Sequence, residues 1–170
     1  MPADAARTAS TSICRALWKI DGFASARKIA LYHSAGSEVQ THRLLWECVS
    51  RDITVLLPRV CDDMMRFHAV TGPGDLTRGR FGIMEPQEAC PEHTDADVIL
   101  VPAIGVTRYG HRLGYGRGYY DRYLSGSCAV FIALAYSFQV VDTIPHDTHD
   151  IPVHWIVTEN DTIQASHKAA

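Results

Sequence analysis

The sequence predicts an α/β fold in which a largely parallel sheet is covered on both faces. Several short segments are apolar without alternation, which is typical of strands buried on both sides. Segments with helical spacing of apolar residues separate them, as in folds built from strand–helix–strand units. With 170 residues, 46% of them hydrophobic and 21% charged, the chain has the composition of a globular protein and the size of one domain.

Local patterns predict the elements of the first half of the chain. Apolar residues at helical spacing indicate helices, and short apolar or weakly alternating runs indicate strands. In chain order these are a helix over 3–20, a strand over 28–33, a helix over 41–51 with Thr41 as its cap, a strand over 53–58 that Pro58 closes, and an edge or hairpin strand over 65–70.

The second half begins with a segment rich in glycine, proline and charge, which predicts a long surface connection over 71–94. The elements that follow it are a strand over 97–102, a glycine-rich stretch, a short helix over 119–124, a strand over 128–136 and a last strand over 155–158.

Charge and composition exclude several classes of function. The net charge of −3 and the pI of about 6.3 do not suggest a protein that coats nucleic acid or an acidic membrane. The sequence has no apolar run of membrane-spanning length and no secretory signal at its start. The five cysteines are widely spaced and never form a CxxC pair, which disfavours a zinc site or a disulfide framework. We therefore expect a cytoplasmic protein that binds neither nucleic acid nor membrane.

One stretch, residues 112–124, concentrates glycine, arginine and tyrosine just after the clearest buried strand and reads RLGYGRGYYDRYL. Ligands of open α/β sheets lie beyond the carboxyl ends of the strands. Glycines let backbone N–H groups approach an oxyanion, and guanidinium groups match phosphate oxygens. Asp121, in the first turn of the following helix, is placed to hold a Mg²⁺ that bridges phosphates. The stretch predicts a phosphate site, with a glycine-rich turn and solvated arginines as the alternative. Its spacing fits neither a Walker loop nor a dinucleotide fingerprint.

At these residues the sequence resembles the 5-formyltetrahydrofolate cyclo-ligases, or methenyltetrahydrofolate synthetases. The family signature reads roughly VPGLAFDxxGxRLGYGxGYYDR, and residues 101–122 read VPAIGVTRYGHRLGYGRGYYDR. Further matches follow in family order from residue 26 onward. They include SEVQT (37–41) for the family's EVDT, DLTRGRFGIMEP (75–86) and HDIPVHWIVTEN (149–160).

The resemblance implies a three-layer α/β/α sandwich and an enzyme that consumes ATP, as a co-substrate, and Mg²⁺. Such enzymes convert 5-formyltetrahydrofolate into 5,10-methenyltetrahydrofolate, ADP and phosphate. ATP phosphorylates the formyl oxygen, N10 of the folate attacks the activated carbon, and phosphate leaves as the ring closes. The expected partners are these small molecules, and the expected state is a monomer or a weak homodimer.

The resemblance assigns the glycine-rich stretch to the ATP phosphates. Arg117, where the family often has Lys, faces the transferred phosphate and is expected to be catalytic together with Tyr119. The stretch leaves open which of Tyr119 and Tyr120 lines the folate pocket and which packs under the helix. The residues that match the phosphate loop are Arg112, Leu113, Gly114, Tyr115, Gly116, Arg117, Gly118, Tyr119 and Tyr120, and those from Tyr115 to Tyr119 overlap the folate contacts.

Residues outside this stretch complete the implied site. Asp121 and Asp150 match two Mg²⁺ positions of the family. Glu38 matches a substrate-binding glutamate, suited to accept hydrogen bonds from the pterin edge. His33 lies at a substrate-lining position.

The chain also departs from the family pattern. Thr107 replaces an Asp and Val106 an aromatic residue, and no KxxLR match marks the family's N-terminal basic helix, which is apparently missing from this single domain over 1–170. These departures favour a second hypothesis, a folate- or nucleotide-binding paralogue without turnover. A third hypothesis is a metal-dependent hydrolase, which would use the two histidines and two aspartates of residues 146–150 but lacks an HExxH pair.

Overall fold

Residues 1–62, 64–79 and 82–166, which the computed structural model describes, form an eight-stranded sheet with helices on both faces. No helix in this part of the chain has both the length and the apolarity to cross a membrane. The helices are α1 (Ala3–Leu17), α2 (Asp21–Ala24), α3 (His42–Ser50) and α4 (Tyr119–Leu124), with 3-10 turns at Pro73–Asp75 and Ser137–Gln139. The strands are β1 (Lys28–Ala30), β2 (Thr54–Cys61), β3 (Met64–Val70), β4 (Leu76–Arg78), β5 (Met84–Pro86), β6 (Glu92–His93), β7 (Val98–Pro102), β8 (Gly105–Val106), β9 (Arg112–Leu113), β10 (Val130–Leu134), β11 (Trp155–Val157) and β12 (Thr162–Gln164).

Five parallel strands form the centre of the sheet. Its order is β12-β11-β10-β7-β1-β2-β3-β6; strands β11, β10, β7, β1 and β2 are parallel, and β12, β3 and β6 add antiparallel edges. The chain passes from β1 to β2 on one side and later returns to β7 on the other side of β1. The crevice between the carboxyl ends of β1 and β7 is therefore the topological switch point, where open α/β sheets bind ligands.

Alternate residues of the central strands contribute to two separate cores. In β7, Val98 and Leu100 belong to the core shared with α1 and α3, whereas Ile99 and Val101 belong to the core shared with α4. A strand buried on both faces needs an apolar residue at every position, which is the pattern that the sequence shows. The predicted α/β sandwich with a mostly parallel central sheet is confirmed.

Strand β2 runs past Pro58, its predicted end, and continues to Cys61. Its pairing with β1 stops at Leu56, whereas its pairing with β3 continues and places Pro58 opposite Phe67. A proline has no N–H for a strand ladder, so it is tolerated where a strand has lost one neighbour. The predicted end at Pro58 is wrong because this part of β2 behaves as an edge strand.

Very short strands occupy segments that were predicted to be loops. The predicted connection over 71–94 contains the β4–β5 hairpin and β6, which covers the outer side of β3. The segment after β7 forms the β8–β9 hairpin, and β12 pairs with β11. Strands of two or three residues have no readable hydrophobic period, so pattern analysis does not detect them.

The turn between β8 and β9 depends on Gly110. Its φ of 92° lies in the left-handed region, and a Cβ there would collide with the carbonyl oxygen of Val153. We expect Gly110→Ala to lower the free energy of unfolding by about 2–4 kcal/mol, from backbone strain and from the clash, as measured by urea denaturation. The control is Gly126→Ala, where a Cβ meets open space and the change should stay below about 1 kcal/mol. Equal losses in the two variants would contradict this account.

Candidate active site

Two segments meet at the switch point between β1 and β7. The first, called here the β1 segment, comprises residues 31–41 and connects β1 to α3. The second is the glycine loop, residues 114–118, which connects β9 to α4. The two segments meet where the Tyr115 hydroxyl lies close to the Glu38 carboxylate. Residues assigned to substrate and to ATP are thus brought together from distant parts of the chain.

Side-chain hydrogen bonds fold the β1 segment into a closed loop. The Thr41 hydroxyl donates to the carbonyl of Tyr32, and Ser34 Oγ accepts from the Thr41 N–H at 3.1 Å. The Tyr32 hydroxyl donates to the carbonyl of Val39 at 3.1 Å. Thr41 is the N-cap residue of α3, as predicted, but its hydroxyl makes no capping hydrogen bond and serves this loop instead. Closed in this way, the loop holds Glu38 toward the crevice.

The Glu38 carboxylate is half-buried and already accepts one hydrogen bond. Its Oε2 accepts from the Ala35 N–H at 2.8 Å, and the Tyr115 hydroxyl lies close to the carboxylate. Burial raises the pKa of Glu38, and the interactions with the Ala35 N–H and the Tyr115 hydroxyl oppose that rise. A carboxylate offers about four lone-pair sites, so Glu38 retains capacity to accept N–H groups from a ligand.

Three tyrosines lie below Glu38. The Tyr136 hydroxyl donates to the Glu38 carbonyl at 3.2 Å and lies 3.0 Å from Ser10 Oγ in α1. Burial, with a further contribution from the Glu38 charge, raises the pKa values of Tyr32 and Tyr120, so both phenols stay neutral donors. Of the three, Tyr136 contacts Glu38 directly and fixes its backbone carbonyl.

The neighbouring pair Tyr119 and Tyr120 takes two different directions. Tyr120 lies within electrostatic reach of Glu38 and Arg112. Tyr119 instead packs its ring under the Arg122 guanidinium, with 5.2 Å between the guanidinium carbon and the ring centroid. The two tyrosines therefore differ in their surroundings: Tyr120 is partly buried near the charges of Glu38 and Arg112, and the Tyr119 ring lies under Arg122.

The glycine loop is open to solvent. A Cβ built on Gly114 or on Gly116 meets no atom within 4 Å, and the side chains of Tyr115 and Arg117 are exposed. Gly116 and Gly118 have φ values of 77° and 63°, which only glycine adopts readily. The loop thus exposes its backbone instead of packing it, as an anion-binding cradle requires.

The Arg112 side chain is buried and bonded to other protein groups, whereas it was expected to lie on the open phosphate loop. Its guanidinium is 5% exposed, donates to Asp121 Oδ1 at 2.8 Å, and also donates to the carbonyl of Ile151. The Ile151 N–H donates to the same Asp121 oxygen at 3.2 Å. Arg112 therefore joins β9, α4 and the segment before β11, and it is engaged by protein groups where the resemblance implied a phosphate contact.

Asp121 and Asp150 lie close together, because the Asp121 carboxylate bonds to the N–H of the residue after Asp150. Asp150 Oδ2 accepts from the Asp147 N–H at 2.9 Å. Among the described residues, no three His, Cys, Asp or Glu side chains form a group that could hold a metal ion. A Mg²⁺ that arrives with a nucleotide is usually bound through one or two carboxylates and the substrate phosphates, so Asp121 and Asp150, on neighbouring segments, fit such an ion.

Residues 146–150, the basis of the hydrolase hypothesis, do not assemble a transition-metal site. The His146 ring stacks on His111 with 3.7 Å between centroids, and His146 Nδ1 lies 2.9 Å from the Ile144 carbonyl oxygen. His149 pairs with Asp147 at 3.3 Å, and both side chains are largely exposed. The two histidines thus face different neighbours, which removes the support for a hydrolase.

Thr107 supplies the side-chain hydrogen-bond acceptor that an Asp would provide in the turn between β8 and β9. Its side chain is buried, and its Oγ1 accepts the N–H groups of Tyr109 and His111 at 3.3 and 3.2 Å. Short side-chain acceptors commonly close turns in this way. The departure from the family pattern at this position therefore leaves the turn formed.

The surface near the hairpin also offers room for a ligand. A hollow of about 570 Å³ is lined by Arg108, Tyr109, Ser137, Val140, Val141 and Asp142. A second hollow of about 620 Å³, beside Trp18 and Arg51, lies at the amino ends of β1 and β2. We place the site at the switch point, because Glu38, the glycine loop, Asp121 and Asp150 line neither hollow.

We expect Arg112→Gln to lower the free energy of unfolding by about 3 kcal/mol in urea denaturation. The change leaves a partly buried carboxylate and a backbone carbonyl without their partner. The control is Arg7→Gln, which breaks the pair of Arg7 with Asp4, both largely exposed, and should cost less than about 1 kcal/mol. A loss for Arg112→Gln no larger than that of Arg7→Gln would show that the pair is not structural.

The fold and the site define a class: an open α/β protein that binds small molecules at the switch point of its sheet, with an exposed glycine loop beside a carboxylate. The chain belongs to the 5-formyltetrahydrofolate cyclo-ligase family, whose model matches residues 1–159.

Individual relatives agree with this assignment. A 5-formyltetrahydrofolate cyclo-ligase from Mycolicibacterium smegmatis is 35% identical over 144 residues, which cover 79% of this chain and 74% of that protein. The NMR structure of Aquifex aeolicus 5,10-methenyltetrahydrofolate synthetase is similar with a TM-score of 0.88 at 33% identity, covering 100% of this chain and 88% of that one. A 5,10-methenyltetrahydrofolate synthetase from Mycoplasma pneumoniae has a TM-score of 0.73 at 23% identity, with 94% and 90% covered, and supports the fold alone.

Proposed function

We propose that this chain catalyses the ATP- and Mg²⁺-dependent cyclisation of 5-formyltetrahydrofolate to 5,10-methenyltetrahydrofolate, with release of ADP and phosphate. The observation that carries the proposal is the contact between Glu38 and Tyr115, which joins the substrate-binding segment to the glycine loop of a cyclo-ligase family member. Small molecules are its partners, and we propose that it works as a monomer or a weak homodimer.

The reaction explains why the two segments must meet. A formamide carbon is a poor electrophile, and its oxygen is a poor leaving group. Transfer of the terminal phosphoryl group of ATP to that oxygen makes an imidate-like phosphate. N10 then forms a bond to the carbon, the carbon–oxygen bond breaks, phosphate leaves, and N10 gives up its proton. The folate and the ATP terminus must therefore lie side by side, as proximity catalysis requires.

Each segment has a separate task in this proposal. Glu38 binds the pterin edge through its remaining lone pairs, and the Ala35 N–H and the Tyr115 hydroxyl keep its carboxylate in place. The amides of the glycine loop cradle the phosphates, and the exposed Arg117 neutralises the charge of the phosphoryl group in transfer. Tyr119, also assigned to catalysis by the resemblance, supports the loop by packing against Arg122.

Asp121 and Asp150 are the residues that would hold Mg²⁺. When bound, the ion would neutralise phosphate charge during the transfer. The Arg112 guanidinium already compensates part of the Asp121 charge. The pair of aspartates therefore suits an ion that the nucleotide helps to bind.

The proposal is tested by incubating the protein with 5-formyltetrahydrofolate and following the absorbance of the methenyl product. We expect product with Mg-ATP and none when either ATP or Mg²⁺ is omitted. Tight folate binding without turnover would support the paralogue instead and overturn the proposal. Product formation that needs Zn²⁺ and no ATP would overturn it in favour of a hydrolase.

A further inference from the structure

Two histidines from separate parts of the chain meet at the β1 segment. His33 follows β1, and His42 is the first residue of α3. His33 Nδ1 lies 3.1 Å from His42 Nε2, and the two rings pack edge-on with their centroids 4.1 Å apart. The other ring nitrogen of His42, Nδ1, lies 3.3 Å from Ser34 Oγ. The three side chains form one continuous hydrogen-bonded chain along the β1 segment that also carries Glu38.

The contact between the two imidazoles holds a single hydrogen, so one ring donates and the other accepts. Protonation of both rings would remove that bond and place two cations in contact. Burial and the adjacent His42 lower the pKa of His33 to about 4, and burial also lowers the pKa of His42. Both rings are therefore neutral near pH 7, and the tautomer of one fixes the tautomer of the other.

Ser34 is the last of the three hydrogen-bonded side chains and connects them to the backbone. Its Oγ accepts the N–H of Thr41 at 3.1 Å, and Thr41 is itself bonded to the carbonyl of Tyr32. His42 is thereby held at both of its nitrogens, and His33 is held through Nδ1. The His33 ring is only partly buried. Its Nε2 takes no part in the hydrogen bonds that link His33, His42 and Ser34.

We propose that His42 is a positioning residue that acts through His33, and that the pair presents Nε2 of a neutral, oriented imidazole to the polar edge of the reduced pteridine. The inference rests on the proposed function, because its ligand is the same folate. A neutral ring exchanges one hydrogen bond with an amide-like edge. It also places no cation near the Glu38 carboxylate that would compete with the substrate for its lone pairs.

The experiment compares His42→Phe, which keeps an aromatic ring against His33 but removes both nitrogens, with His42→Gln, whose amide can again reach His33. Binding of 5-formyltetrahydrofolate is measured by calorimetry without ATP, and KM and kcat are measured with Mg-ATP. The His33 ring is titrated by NMR in the ligand-free protein. For His42→Phe we expect about tenfold weaker folate binding, a similar rise in KM, little change in kcat, and a His33 titration that moves from about pH 4 toward its ordinary range. His42→Gln should recover most of the affinity.

A control variant is His93→Phe on the edge strand β6, which should leave folate binding unchanged. If the wild type is active and His42→Phe binds folate as tightly as the wild type, the positioning role of His42 is overturned and the proposed function stands. The result of the His33 titration does not alter that conclusion. A wild type that neither binds nor converts 5-formyltetrahydrofolate would overturn the proposed function and this inference together. Loss of affinity in His42→Phe with recovery in His42→Gln supports the positioning role.

Discussion

Replacement of Glu38 by glutamine is expected to lower kcat/KM for 5-formyltetrahydrofolate at least a hundredfold, with most of the loss in KM. The carboxylate is proposed to accept N–H groups of the pterin, and a hydrogen bond to a charged group contributes about 1.5–3 kcal/mol. Loss of two such bonds costs about 3 kcal/mol or more, which corresponds to at least a hundredfold. An amide oxygen can still accept from the Ala35 N–H, so the fold should be retained.

The matched variant is Glu47→Gln on α3, which loses the same charge but only breaks a pair with Arg51 at 2.8 Å. Steady-state kinetics should give a change below about twofold for that variant. Burial raises the pKa of Glu38, so in the wild type KM should rise as the pH falls through that raised pKa and the carboxylate becomes protonated. Glu38→Gln should not show this dependence. Equal kinetics for the two glutamine variants would refute the role of Glu38.

Much of the fold is readable from the sequence because its central strands are buried on both faces. Segments such as 98–102 carry an apolar residue at every position, and only a doubly covered strand needs that pattern. The edges are not readable in the same way. The end of β2 contains a proline that an edge strand tolerates, and β12 is too short to show a period.

The sequence predicts the role of a site residue only where that role depends on the residues next to it in the chain. The glycines of residues 114–118 indicate an exposed backbone, and the structure has that exposure. The task of Arg112 depends on Ile151, a residue 39 positions away. No local pattern distinguishes an arginine that faces a ligand from one that is paired inside the protein.

Contacts between distant segments are also absent from the sequence pattern. In the sequence, His42 is one residue of a helical pattern, and nothing there indicates a contact with His33. The closed β1 segment brings the two rings together. The Tyr115 contact with Glu38 likewise needs both β1 and β7 in place. Such pairs become visible only once the strand order sets the switch point.

Arg117→Ala is expected to lower kcat about a thousandfold or more while changing the free energy of unfolding by less than about 1 kcal/mol. Its side chain is exposed beside Gly116, whose position has open space around it. A guanidinium that stabilises a phosphoryl group in transfer contributes about 10³–10⁵ in rate, because the charge it compensates develops in the transition state. Arg117→Lys keeps a positive charge at the position where the family often has lysine, so this variant should recover most of the activity.

The comparison that isolates this role is Arg108→Ala, which removes the same charge from the nearby hairpin turn. Arg108 is largely exposed and approaches Asp161 only at 3.8 Å, so its loss should change kcat less than about twofold. Rates of methenyl product at saturating Mg-ATP and urea denaturation of both variants provide the measurements. If the two alanine variants lost activity equally, general charge near the loop would be sufficient. If Arg117→Ala lost stability in parallel with activity, Arg117 would be a structural residue and the phosphate role of the loop would have to be abandoned.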